Sequence, residues 1–369
     1  MRNKARVEYL VSLTGSVLLA GVLGSIIMVL TGHAPLEAWG ALFAGAFGDI
    51  QLTSPSDFLS TLLNRNFSNT LYKSAQLCIT GLATAVASQA GIFNVGGEGQ
   101  MFLGALASAY FGALLTGVSP WLALPVCLLA AVAAGALYAL IPALLKVKLH
   151  INEVITTILM NSIAIYFCNY MSTGPLKDPT QTKGTAKIAG DLMFSKITRG
   201  SNLTESVFYI AIISLLVWYI MSRTTAGFEM KLSGQNSRFA RFSGIKADKL
   251  AIIAMLVSGA MCGLLGMFET FGVQGRFKPD FSNEFYFDGM LVAMIMRYRP
   301  LGIILMSFFF GILKTGAIKM QSQVGVSSEL IMIVQSIIIF FMAAEEGVMA
   351  EIRALRTRRH AAQSIRKEG

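Results

Sequence analysis

The sequence has few charged side chains for its length. Charged residues make up 14% of the 369 positions, roughly half of the share of about 25% that is usual in soluble proteins. A soluble chain of this size forms two or three domains with charged surfaces, and the charges here are too few to cover them. This shortage excludes a soluble enzyme and a disordered chain. Hydrophobic residues make up 54% and the mean hydropathy is +0.62, which indicates a polytopic membrane protein.

Thiols and imidazoles are also scarce. The four cysteines (Cys78, Cys127, Cys168 and Cys262) each lie in an apolar stretch, and no two form a C-x-x-C pair. They are typical of small packing residues and exclude a disulfide scaffold. The three histidines are scattered, so we expect no metal site. The G-x-x-x-x-G-K-[ST] phosphate loop is absent. If ATP drives this protein, another chain must bind it.

Long apolar segments are abundant. A membrane-spanning helix needs about 20 mostly apolar residues, and the sequence predicts an all-α membrane domain with about ten such helices. The eighth segment is short, and is either a half-helix or a helix that begins earlier. The predicted spans are approximately 9–31, 70–90, 101–117, 121–145, 153–172, 206–222, 249–271, 285–297, 300–317 and 329–349.

The distribution of basic residues predicts the orientation. With the N-terminus inside, 19 of the 30 Lys and Arg residues fall on the cytoplasmic side, as the positive-inside rule requires. Both termini are then cytoplasmic. We predict one transmembrane domain over 1–350 and a basic cytoplasmic tail over 351–369. Within the domain we predict external interfacial helices in 33–69, an external loop over 173–205 and a cytoplasmic loop over 223–248.

Two segments predict an internal repeat. Gly91–Ala105 leads into an apolar helix, and Phe285–Ile295 does the same about 190 residues later. In the predicted topology the helices that follow run in opposite directions. Inverted repeats are common in transporters, although the residue matches between the two segments are few.

The first informative motif is rich in glycine. Residues 89–104 read QAGIFNVGGEGQMFLG, and three glycines within four positions are expected to interrupt a helix. One interpretation is a tight connection at the cytoplasmic surface. The other is a broken-helix element at the gate or in the pathway, because non-helical backbone at membrane depth must be satisfied by protein or water. The gate residues predicted by the second interpretation are Asn94, Gly96, Gly97, Glu98 and Gln100.

The second motif lies in the predicted cytoplasmic loop. Ser237 to Ser243 is predicted to form a short helix between Gly234 and Gly244, with Asn236 or Ser237 as N-cap. Phe239 and Phe242 would share one face of it, near Arg238 and Arg241. Exposed aromatic and arginine side chains are typical of a protein–protein contact. A positive-inside anchor with aromatic residues at the lipid interface explains them equally well.

Together these segments resemble the membrane permease of a bacterial ABC importer. The branch is the ribose/branched-chain amino acid permease superfamily, and within it the larger permease of nucleoside-type systems. The resemblance covers nearly the whole chain in order. Its motifs are matched at Phe93–Gln100, Asn152–Ile158, Asn161–Ala164, Arg223, Thr224, Gly227, Phe228, Gly234, Asn236, Ala240, Arg241, Gly244, Ile245, Phe287–Ala293 and 299–303. The chain departs from the pattern at Ala75-Gln76-Leu77, where the family often has Thr-Pro-Leu.

The resemblance implies a type II importer-like fold and three partners. These are a second, usually homologous permease, a cytoplasmic ATPase that holds ATP and Mg, and a substrate-binding lipoprotein. It implies residence in the bacterial inner membrane and no cofactor on this chain. It also implies that residues 234–245 form the coupling helix that docks on the ATPase. The coupling residues carried over are Gly234, Asn236, Arg238, Phe239, Ala240, Arg241, Phe242, Gly244 and Ile245.

The resemblance implies a nucleoside as solute. A pocket for a nucleoside needs apolar faces that stack on the base and amide or hydroxyl groups that bond the edges of the base. Polar residues between membrane helices also serve to bond neighbouring helices, so each candidate has a structural alternative. Riboflavin, a pentose or hexose sugar, and an ion-driven secondary carrier are alternative functions. Glu269, Asp288 and Lys314 are expected near span ends rather than in a mid-membrane relay. The pathway candidates inside spans are Gln76, Thr80, Asn161, Tyr166, Phe167 and Asn169.

Overall fold

The structure is a computed structural model that describes residues 2–48, 64–282, 284–327, 329–338 and 340–341. Within these ranges it is helical and contains no strand, only two isolated bridges in the 173–205 segment. This confirms an all-α chain. The helices are α1 (Arg2–Leu30), α2 (Pro35–Phe47), α3 (Arg65–Gln89), α4 (Gly97–Leu114), α5 (Pro120–Leu149), α6 (Glu153–Thr173), α7 (Ser206–Arg223), α8 (Thr225–Gln235), α9 (Ser237–Phe242), α10 (Ala247–Glu269), α11 (Phe285–Ile295), α12 (Pro300–Val324) and α13 (Glu329–Ile338).

Each predicted span overlaps a helix of the described residues, but these helices differ in length and apolarity. Residues 342–349 of the last span and the predicted tail over 351–369 lie outside the described residues. Over the described ranges, five helices are long and apolar enough to cross a membrane, and a sixth span arises if the bent pair Thr14–Leu30 and Pro35–Phe47 is counted as one. A multi-pass membrane protein is therefore confirmed. The count of ten spans, the inverted repeat and the position of the termini stay predictions. Of the predicted interfacial segments, 35–48 corresponds to α2, 55–63 lies outside the described residues, and Arg65–Phe67 already belongs to α3.

Contacts divide the chain into two units, Met1–Gly45 with Gly316–Gly369, and Ala46–Thr315. In the first unit, Trp39 Nε1 donates to Ser25 Oγ at 2.9 Å. In the second unit, α10 packs against α3, α4 and α5. The crossing of α5 and α10 is close because Gly135 faces Gly259 and Gly263, as expected for small residues between membrane helices.

The segment between α6 and α7 folds back onto the end of α10. Phe194 N donates to Phe271 O at 3.0 Å and Ile188 N donates to Gly275 O at 3.0 Å. The carboxylate of Asp178 accepts from the backbone and hydroxyl of Thr180 and pairs with Arg276 at 3.1 Å, which lowers the pKa of Asp178. The predicted external loop is therefore an ordered cap over this part of the unit.

Candidate functional site

The glycine-rich motif forms a bend between α3 and α4. Residues 90–96 are not helical, and their backbone is satisfied by neighbouring elements. Val95 N donates to Thr157 Oγ1 of α6 at 3.2 Å, and Gly96 N donates to Asn94 Oδ1 at 3.0 Å. Irregular backbone at membrane depth is tolerated in this way, when protein groups take its hydrogen bonds. The bend is a non-helical connection whose hydrogen bonds are taken by protein groups, which suits either interpretation of the motif, and its position at a gate stays a prediction.

A buried amide network fixes the bend. Asn94 Nδ2 donates to Gln100 Oε1 at 2.8 Å and to Ser258 Oγ at 3.0 Å, and Gln100 Nε2 returns a bond to Asn94 Oδ1 at 3.2 Å. The backbone oxygen of Asn94 accepts from the hydroxyl of Tyr286. Asn94, Gln100 and Tyr286 are all buried. The network therefore ties α4 to α10 and α11.

Glu98 is the central charged group of this site. Its carboxylate accepts from Tyr286 N at 2.9 Å and from the Ser282 hydroxyl, and its side chain is buried. Tyr286 lies in the first turn of α11, and Glu98 lies in the first turn of α4. The two helices predicted as repeat partners thus meet at their N-terminal ends through one carboxylate.

The sequence interpretation of the glycines is wrong in one respect. Gly96 ends the bend, whereas Gly97 and Gly99 lie inside α4. Their role is close approach rather than helix breaking. A Cβ at Gly97 would enter the Tyr286 ring, and one at Gly99 would lie 2.8 Å from Ala164 Cβ. Gly99 N donates to Asn161 Oδ1, so α6 also holds this turn.

The predicted coupling segment is a short exposed helix, as expected. α9 covers Ser237–Phe242, and Asn236 is its N-cap because Asn236 Oδ1 accepts from Phe239 N at 3.0 Å. Phe242 is 92% exposed and Phe239 54% exposed, whereas Ala240 is buried. An aromatic pair that projects from a capped helix suits docking to another protein. The docking itself stays a prediction.

The helix before α9 rests directly on the glycine-rich bend. A Cβ at Gly234 would lie 2.9 Å from the carbonyl carbon of Gln89 and 3.0 Å from Gly91 N. Such backbone-to-backbone approach requires a glycine. Gln89 Nε2 also donates to Tyr298 O at 2.6 Å, in the connection from α11 to α12. The predicted coupling loop is therefore in direct contact with the bend.

The pathway candidates separate into a buried group and an exposed group. Gln76 and Thr80 lie buried on α3, where Thr80 Oγ1 donates to Phe285 O at 3.3 Å, and Asn161 is buried at the turn of α4. Tyr166 is 74% exposed and Phe167 is also exposed, on the outward face of α6. Asn169 donates to Asp280 Oδ1 at 3.2 Å. The structure does not bring the α6 aromatic residues together with the α3 amide.

A charged cluster was missed by the sequence analysis. Asp288 of α11 and Lys314 of α12 form an ion pair that is partly exposed. Glu269 of α10 is buried and accepts from Tyr72 Oη at 2.7 Å and from the Gln76 amide. Lys73 of α3 interacts electrostatically with all three. The available signal was that each is an isolated charge in an apolar segment, which usually marks function in membrane proteins.

A family model described as branched-chain amino acid transport system, permease component, matches residues 66–343. The chain belongs to this permease family. It is 31% identical to the guanosine ABC transporter permease protein NupP of Bacillus subtilis, over 90% of this chain and 92% of that protein. It is 32% identical to the nucleoside ABC transporter permease protein NupB of Lactococcus lactis, over 100% of this chain and 99% of that protein.

The glucose ABC transporter permease protein TsgB13 of Haloferax volcanii is a further relative, 29% identical over 90% of this chain and 86% of that protein. Each of these three organisms supplies a second match with the same named solute: the guanosine permease NupQ, the nucleoside permease NupC and the putative glucose permease TsgC13. A permease of this family is a transport subunit rather than an enzyme.

Proposed function

We propose that this chain is one of two permease subunits of an ATP-driven importer and that it moves nucleosides across the bacterial inner membrane. The observation that carries the proposal is the pair of nucleoside and guanosine permeases that align over nine tenths or more of the chain. The second match from each of those organisms supports a paired, heterodimeric assembly. ATP and Mg would belong to a separate ATPase, and a binding lipoprotein would deliver the solute.

The geometry supports a mechanism that couples ATP hydrolysis to transport. ATP binding would close the ATPase and move α9, whose Phe239 and Phe242 project outward. Because Gly234 lies against Gln89 and Gly91, that movement would reach the bend directly. Asn94 of the bend holds α10, and Glu98 in the first turn of α4 holds α11. A shift of the bend would therefore change the contact between α4 and α11.

Uptake of radiolabelled nucleosides by cells tests the proposal. The chain is expressed with and without its second permease and ATPase. Uptake that requires all three chains is the expected result. Uptake by this chain alone would replace the proposal with an ion-driven secondary carrier.

The alternative solutes are riboflavin and sugars, because relatives named as a glucose permease and a riboflavin import permease share the scaffold. A scaffold does not fix the solute. The same cells, supplied with labelled riboflavin, ribose and glucose, decide between them. Saturable uptake of one of these with no nucleoside uptake would retain the importer and change its solute.

A further inference from the structure

Lys73 holds a charge that no other group in the cluster neutralises directly. Its ammonium lies 4.7 Å from the Phe285 ring centroid and 5.5 Å from that of Tyr72. Among the residues that the structure describes, no carboxylate forms an ion pair with it. The nearby carboxylates have other partners, since Asp288 pairs with Lys314 and Glu269 accepts from Tyr72 and Gln76.

Other charged side chains lie near Lys73 at the surface of the bundle. The side chains of Lys73, Asp288 and Lys314 are all partly exposed. A charged side chain exposed to hydrocarbon costs several kcal/mol, and such residues face a bundle interior or a water-filled cavity. Lys73, Asp288 and Lys314 therefore form a polar patch, although α12 also exposes Leu301 and Leu305 and α11 exposes Met294.

The donors of Lys73 complement an acceptor on the same helix face. Gln76 stands three residues after Lys73, and i, i+3 side chains of a helix are neighbours. No group of the described chain donates to Gln76 Oε1. A cavity of about 10 Å³ lies beside it, which is room for about one water. The Gln76 side chain is therefore enclosed in this conformation, whereas the Lys73 side chain is partly exposed.

We infer that Lys73 lines the translocation path and donates hydrogen bonds from its ammonium to acceptor atoms of the solute. The inference rests on the proposed function. A nucleoside suits this site because its base edge offers both carbonyl acceptors and N–H donors, so it can engage Lys73 and, once the path opens, Gln76. The ion pair of Asp288 and Lys314 keeps the neighbouring surface polar without using the donors of Lys73.

Thiol labelling tests the placement in the assembled importer. The four native cysteines are buried, so we expect the unmodified chain to react little with a cationic methanethiosulfonate. Lys73→Cys is expected to react, and to react at least about threefold more slowly during turnover with a nucleoside. Lys187→Cys, at an exposed position of the 173–205 segment, is the control for the reagent. Labelling of Lys187→Cys without labelling of Lys73→Cys overturns the inference.

Transport assays test the donor role. Lys73→Met is expected to lower nucleoside uptake about tenfold or more, in line with the loss of a charge-assisted hydrogen bond, while basal ATP hydrolysis and assembly stay unchanged. Lys73→Arg keeps the charge and donors and is expected to retain uptake within about threefold. Lys187→Met controls for the loss of a basic residue. Equal uptake by Lys73→Met and the parent chain contradicts the donor role.

The labelling result separates failure of the inference from failure of the proposed function. The reagent reports water access to position 73 whatever the solute is. If Lys73→Cys is labelled in an importer that moves no nucleoside, nucleosides are rejected as the solute and the position of Lys73 in the translocation path is supported. If the importer moves nucleosides but Lys73→Cys does not react, nucleosides are supported as the solute and the position of Lys73 in the path is rejected. If Lys73→Met fails to assemble, the cysteine variant still decides.

Discussion

At the scale of single residues, the contrast between Glu98 and Glu37 shows what burial does to a carboxylate. Both lie in the first turn of a helix, where a negative charge is favourable. Glu37 is exposed to solvent, whereas Glu98 is buried between Ser282 and Tyr286 N. The glycine-rich motif distinguishes Glu98 from Glu37 in the sequence, but it does not show which groups surround the carboxylate. Only the meeting of α4 with α11 makes one of them part of a junction.

Glu98→Gln is expected to destabilise the protein by about 1.5–3 kcal/mol, the usual range for hydrogen bonds to charged groups. The amide keeps one acceptor but turns an N–H toward a backbone donor. Thermal unfolding of the purified chain in detergent measures the effect, with Glu37→Gln as the matched control. If both variants unfold at the temperature of the parent chain, the carboxylate is not what joins α4 to α11.

At the scale of elements, the exposed side chains of α9 contribute little to the stability of the fold. Arg241 pairs with Asp248 at 2.8 Å, and both side chains are more than half exposed. Exposed pairs of this kind contribute about 0–1 kcal/mol. A functional effect of substitution at this position would therefore report contact with another protein rather than loss of folding.

Arg241→Glu is expected to uncouple ATP hydrolysis from transport, so that uptake is lost while membrane insertion and thermal unfolding stay close to those of the parent. The added negative charge opposes docking of the helix to its partner. Asp248→Asn breaks the same ion pair outside α9 and is the control, expected to transport normally. Normal uptake by Arg241→Glu would remove α9 from the coupling interface.

The contact of α8 with the bend gives a second prediction at this scale. Gly234→Ala places a Cβ against the backbone of Gln89 and Gly91, so α8 or the bend must shift. We expect about 1–3 kcal/mol of destabilisation, as for other overpacked sites, together with slower transport per ATP hydrolysed. Gly40→Ala, in α2, meets open space and serves as the matched control for unfolding. Unchanged transport and stability in Gly234→Ala would show that the contact is not tight.

At the scale of the whole molecule, thiol accessibility tests the predicted orientation. The native cysteines are buried, so single added cysteines supply the signal. Lys187→Cys is expected to react with an impermeant reagent in intact cells. Arg238→Cys is expected to react only after the membrane is opened. The reverse pattern would invert the topology.

The sequence predicted the helical elements well and their interactions poorly. The positions of α9 and of its cap at Asn236 follow from local chemistry, because Asn and the flanking glycines act within a few residues. The role of Gly97 could not be foreseen, since it depends on the Tyr286 ring, 189 positions away in the chain. For the same reason Glu269, Asp288 and Lys314 were interpreted as separate span-end charges, and Lys73 was given no role. Four helices must pack before these residues become neighbours.

The junction at Glu98 has an electrical consequence for transport. The N-terminus of a helix behaves as roughly half a positive charge, so the facing ends of α4 and α11 together amount to about one. A helix carries the opposite partial charge at its other end, so rigid movement of α4 or α11 carries no net helix charge through the membrane field. The charge that moves with the junction is then the charge on Glu98 itself, and moving one full charge through 100 mV costs about 2.3 kcal/mol. A maximal import rate in proteoliposomes that depends on an imposed membrane potential, and loses that dependence in Glu98→Gln, would show that Glu98 is ionised and moves during transport. Equal rates at all imposed potentials in both chains would show that it does not.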